Sequence, residues 1–130
     1  MQFNDLQKSI HANAVAHGWW EDGKRPFPEI VALCHAELSE ALEEYRDARP
    51  MEYTACTGCQ YETSERSCVM SDCPHYSHRD KPEGMAVEMA DTIIRILDWA
   101  ESEGIDMEAV IIRKHDYNTT RPYRHGGKVA

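Results

Sequence analysis

Two acidic pairs hold the chemistry this sequence could perform: Glu37-x-x-Glu40 in HAELSEALEEY and Glu88-x-x-Asp91 in AVEMADTIIRI. Each lies inside an apolar helical pattern, where an ionised carboxylate is costly unless something positive meets it. Residues three apart share one face of a helix. If the two helices pack together, Glu37, Glu40, Glu88 and Asp91 converge. An all-oxygen donor set of that kind suits a hard divalent ion, Mg²⁺ or Mn²⁺. Taken singly, each pair reads better as solvated residues on an amphipathic helix. The neighbours favour the metal: Ile30, Val31, Leu33, Cys34, Leu38, Ala41 and Leu42 form an apolar stripe around the first pair. Val87, Ala90, Ile93, Ile94 and Leu97 do the same around the second.

A second group of ligands is sulfur-rich. Cys56-x-x-Cys59 is followed by Cys68, Cys73, His75 and His78, six soft or borderline donors within 23 residues. Four suffice for tetrahedral Zn²⁺. Cys56, Cys59, Cys68 and Cys73 would make a four-cysteine site, with His75 or His78 as substitutes. A redox C-x-x-C would want a βαβ context that is absent here, and thiols incidental to a loop are the remaining reading. Cys34 lies in a helical pattern and reads as a small buried apolar residue.

The elements that must position these groups follow from periodicity. Phe3, Leu6, Ile10, Ala14 and His17 predict a first helix over residues 2–17 that ends at Gly18. WWEDGKRPFP is a loop, and Pro28 suits the first turn of a second helix reaching Asp47. A third helix is expected over 83–103, broken by Gly104, and a fourth from Ile105 or Asp106 to about Tyr117. The rest, NTTRPYRHGGKVA, is a polar tail. Residues 51–82 show little apolar periodicity, and a structureless connection of that length is unusual inside a compact domain. The expected fold is therefore all-α: a four-helix bundle with a Cys/His-rich, zinc-binding insert between helices 2 and 3 and no convincing strand.

Length and charge narrow the function. At 130 residues the chain is expected to be one domain with one core. A net charge of −9 and a pI near 5.2 argue against binding a nucleic-acid polymer by neutralising its backbone. No run has the length of a membrane span, and MQFNDLQKSIHANAV lacks the order of a signal peptide, so a cytoplasmic protein without a membrane partner is expected. Five cysteines fit that compartment if they are reduced or metal-bound.

An E-x-x-E helix, an E-x-x-D helix and, downstream, Lys114-x-x-x-Asn118-x-x-Arg121-Pro122 leading into His125-Gly126-Gly127-Lys128 together resemble the MazG-like branch of the all-α nucleoside triphosphate pyrophosphohydrolases. HANAVAHGWWED resembles the start of that family. The resemblance covers about residues 5–48 and 83–128 and leaves the cysteine insert outside.

The resemblance implies hydrolysis of an NTP or dNTP between the α and β phosphates, giving a nucleoside monophosphate and pyrophosphate, for cleaning or control of nucleotide pools. A triphosphate carries about four negative charges, so an acidic pocket would bind it through metal ions bridging carboxylates to phosphate. Glu37, Glu40, Glu88 and Asp91 would hold Mg²⁺ or Mn²⁺, with Glu40 or Glu37 the better base through a water. Glu44, one turn beyond Glu40, is a reserve ligand. Lys114, Arg121 and Lys128 would meet the leaving pyrophosphate, and Asn118 a phosphate or sugar oxygen. Arg124, His125 and the glycine pair would fold over the site as a flap. Asn13 and Trp19 or Trp20 would lie near the nucleotide, whereas His11 and His17 read as packing or surface residues. The family resemblance also implies a homodimer or homotetramer.

Two readings from other classes compete. One is a non-catalytic helical module that binds a protein partner through the zinc-like insert, against which four intact carboxylates argue. The other, a di-metal oxidase bundle, would need Glu-x-x-His pairs that neither acidic motif has.

Overall fold

The computed structural model describes residues 1–56, 62–63 and 80–129, apart from the side chains of Cys56, Glu62, Thr63 and Asp80. The described chain is mostly helical: α1 (Phe3–Ala16), α2 (Phe27–Arg46), α3 (Met85–Ser102) and α4 (Met107–Thr119), with a final four-residue turn, α5 (Arg124–Gly127). Local chemistry accounts for the boundaries. Pro28 sits in the first turn of α2, where no backbone N–H is needed. Asp106 caps α4 by accepting the Ala109 N–H at 3.0 Å, satisfying one orphan donor of the first turn. Arg124, His125 and Gly126 in α5 have left-handed φ angles of 50°, 51° and 89°, so this segment is a turn in which no regular helix can propagate.

Between α2 and α3 the backbone forms strands, contrary to the expectation that none were present. β1 (Tyr53–Cys56), β2 (Glu62–Thr63) and β3 (Asp80–Glu83) make an antiparallel sheet in the order β2-β1-β3, with Tyr53 opposite Glu83 and Cys56 opposite Asp80. Glu83 thus belongs to a strand, and α3 begins two residues later than its periodicity predicts. Gly84 makes the junction. Its φ is +117°, and a Cβ there would collide with the carbonyl of Met51, so only glycine fits.

The chain divides into two compact units, Met1–Lys24 with Leu97–Ala130, and Arg25–Ile96, the division falling within α3. In the first, Leu97 and Ala100 are buried. Buried Gln7 donates from Nε2 to Glu101 Oε2 at 2.7 Å and to the Ile105 carbonyl at 2.8 Å. In the second, Ile30, Ala41 and Tyr53 are buried together with Glu37, Glu88 and Thr92.

The apolar stripes expected around the acidic pairs do not all face inward. Leu38 and Leu42 on α2, and Met89, Ile93, Ile94 and Ile96 on α3, are exposed. The face of α2 that turns inward carries Ile30, Glu37 and Ala41, spaced seven and four apart. α4 buries no residue. Among the described residues no helix is long and apolar enough to cross a membrane.

Candidate functional site

The acidic site lies wholly within the Arg25–Ile96 unit and is built by α2, α3 and the strand before α3. α2 places Glu37, Glu40 and Glu44 on successive turns; α3 does the same with Glu88 and Asp91. Glu37 and Glu88 are each only 7% exposed, so each helix commits a carboxylate to a position where an apolar side chain would ordinarily sit. Glu37, Glu40 and Glu88 have carboxylate oxygens within 4.8 Å of one another. Glu44, Glu83 and Glu88 form a second such group, so Glu88 is common to both.

The electrostatics follow from this crowding. Burial pushes the Glu88 carboxyl from 4.5 up to about 7, helped by its hydrogen bond with Glu40 and by repulsion from Glu40, Asp91 and Glu37. Two carboxylates can share a hydrogen bond only if one keeps a proton, and Glu88 is the member that keeps it. Asp91 is also shifted upward, first by burial and then by Glu37, while Arg95 and Lys81 oppose the shift. Asp91 therefore shares the field of the site although it stands outside both close groups.

Three of the carboxylates are already partnered. Arg95 donates from Nε to Glu37 Oε1 at 2.6 Å. Lys81 Nζ lies 2.6 Å from Glu83 Oε1. The Tyr53 hydroxyl donates to Glu44 Oε1 at 2.9 Å, with Arg49 Nε 4.0 Å from the other oxygen. Cys34 is half-buried, and burial holds its thiol above the usual range, so it is a neutral thiol beside Arg95 and Glu37.

The residues expected to meet base and phosphate belong to the other unit. Asn13 and Trp19 are exposed on and just after α1. Trp20 is half-buried and donates from Nε1 to both oxygens of Asp98 at 3.1 Å. His11, read from sequence as a packing or surface residue, holds the same aspartate through Nδ1 at 2.7 Å and meets the Trp20 ring edge-on. Lys114 and Arg121 both lie over the Tyr117 ring, 4.9 Å and 5.9 Å from its centre, and Asn118 is exposed beside them. Lys128 is exposed beyond α5. Of the proposed zinc ligands, Cys56 ends β1, while Cys59, Cys68, Cys73, His75 and His78 lie outside the described residues.

Sequence reasoning overlooked Arg95, Glu83 and Tyr53. Arg95 had a readable signal, since it stands four residues after Asp91 and seven after Glu88, on the same helical face. Glu83 had none, because its approach depends on strand pairing and on the turn at Gly84. No protein-family model, curated protein or solved structure matches this chain.

Proposed function

We propose that the chain is a divalent-cation-dependent nucleoside triphosphate pyrophosphohydrolase, active on an NTP or dNTP. The observation that supports this most is the gathering of Glu37, Glu40 and Glu88 from two helices within 4.8 Å, with Glu88 driven to retain its proton to about pH 7. Like charges concentrated in a partly buried place favour a cation, and oxygen-only donors favour a hard one, so Mg²⁺ or Mn²⁺ fits Glu37, Glu40, Glu88 and Asp91. Bound there, the ion would polarise the α-phosphorus and acidify the attacking water.

The chain's own residues supply the rest. Glu40 is exposed and has no ion pair among the described residues, whereas Glu37 is committed to Arg95. Glu40 is therefore the better base: it takes a proton as water oxygen bonds to the α-phosphorus and the bond to the α–β bridging oxygen breaks. Pyrophosphate leaves with that oxygen. On the family resemblance alone, Lys114 and Arg121 would meet the pyrophosphate, Asn118 a phosphate or sugar oxygen, and Asn13 and Trp19 or Trp20 the base. The same proposal includes a four-helix arrangement, a homodimer or homotetramer, a cytoplasmic setting, and structural Zn²⁺ on Cys56, Cys59, Cys68 and Cys73.

Purified protein with Mg²⁺ and a panel of NTPs and dNTPs, read by chromatography, tests the reaction. Monophosphate and pyrophosphate should form in equal amounts, falling by about 100-fold or more in Glu40→Gln and Asp91→Asn. No turnover of any nucleotide by the wild type, with Mg²⁺ or Mn²⁺, would sink the proposal and favour the partner-binding module. Native mass spectrometry tests the zinc: a mass matching the bare chain with four free thiols would end that part.

A further inference from the structure

We propose that the cavity between the start of α1 and the α3–α4 junction is a binding site for a small organic ammonium ion, held by the amide oxygens of Asn4 and Gln7 and the carboxylates of Glu101 and Asp106. The site lies wholly within the unit formed by Met1–Lys24 and Leu97–Ala130. It uses none of the carboxylates on α2 and does not rest on the metal reading.

Two orphaned acceptors carry the argument. Gln7 is only 3% exposed. Its Nε2 donates to Glu101 Oε2 at 2.7 Å and to the Ile105 carbonyl at 2.8 Å, and because both partners are acceptors the orientation of the amide is fixed. Oε1, on the other edge of that amide, is buried and has no hydrogen-bond partner. Asn4 Oδ1, one helical turn earlier on the same face of α1, is in the same state. Buried polar atoms are nearly always paired, since each has given up its bond to water. Here both side chains with an unpaired acceptor form part of the wall of one cavity of about 260 Å³. Asn4 is half-buried, and a turn of its side chain presents the oxygen to the interior.

The rest of the lining decides which donor fits. Glu101 uses one carboxylate oxygen for Gln7 and Asp106 one for the Ala109 N–H, so each keeps another. Among the lining residues, Lys8 alone opposes these two charges, and it is exposed. The wall therefore offers an excess of acceptors and a surplus of one negative charge, which a monovalent cation bearing several N–H groups answers. A metal ion needs its donors drawn in to about 2.6 Å or closer, whereas this cavity is far larger than one ion. It is also smaller than the clefts that take drug-sized ligands, so an alkylammonium of a few carbons matches its size.

Titration of the full chain with butylammonium, followed at the side-chain amide resonances of Gln7 and Asn4, tests this at neutral pH, where the amine is charged. Both resonances should shift saturably, whereas tetramethylammonium, with the same charge and no N–H, should leave them in place. Asn4→Leu should weaken binding by about tenfold or more, yet without ligand it should melt no lower than wild type, because it removes a buried acceptor that nothing satisfies. Asp106→Asn keeps the cap on α4 and should weaken binding by a similar factor, which covers the case in which Asn4→Leu fails to fold. No saturable shift with butylammonium overturns the inference, as do equal shifts with tetramethylammonium or wild-type affinity in either folded variant. A ligand-free Asn4→Leu that melts well below wild type would overturn it too, by showing that Oδ1 is already bonded. So would an ordered water on both amide oxygens that butylammonium does not displace.

Discussion

Glu88 binds its proton up to about pH 7 rather than 4.5, and the direction of that shift fixes its effect on folding. The folded chain holds the proton more tightly than the unfolded chain. Stability from this group is therefore fully present below pH 4.5 and is lost as pH rises through about 7. In metal-free protein, Glu88→Gln should stabilise the fold at pH 8 by about 1 kcal/mol once solvent screening is allowed for, seen as a higher melting temperature, and should flatten the decline between pH 5 and 8. Parallel melting curves for wild type and variant across that range would refute the assignment. The carboxylates themselves were legible in sequence because helix geometry alone puts residues three apart on one face. Their mutual approach was only conditional, because it depends on how α2 and α3 pack. Arg95 was equally legible by spacing, but a basic residue in an amphipathic helix has many ordinary explanations.

At the scale of elements, the four long helices could be placed from periodicity to within a few residues, and the sheet could not. β1 is four residues long and β2 only two, too short for an alternating pattern to stand out, and β1 pairs with a strand far along the chain. The sheet matters to the site because its last strand runs directly into Gly84, whose carbonyl accepts the Glu88 N–H at 3.0 Å. Gly84→Ala combines a positive φ with a collision against Met51, and it should destabilise the fold by about 2 kcal/mol or more, measurable by urea denaturation. Because Glu88 hangs from that residue, the same substitution should weaken Mn²⁺ binding even in the fraction that remains folded. Full Mn²⁺ affinity in Gly84→Ala would show that the junction does not position Glu88.

On the scale of the whole molecule, the described residues bury few large apolar side chains and expose many. Leu97, Ile30 and Tyr53 are the large ones inside, while Leu42 at 48% and Ile93 at 55% exposure stand on helices whose inward faces carry Glu37 and Glu88. Composition could not reveal this inversion, since a count of apolar residues says nothing about which face they occupy. Apolar surface of this kind is removed from water by association, and a second copy is the partner the family resemblance implies. Sedimentation velocity at micromolar concentration should show at least a dimer, and Ile93→Lys or Leu42→Lys should shift it toward monomer. The net charge of −9 adds a further condition. Two acidic chains repel at low ionic strength, so association should strengthen as salt screens that repulsion, the opposite of an interface held by ion pairs. A monomer at all salt concentrations would remove self-association, and dimers that dissociate with added salt would place the contact on charged residues instead of these helices.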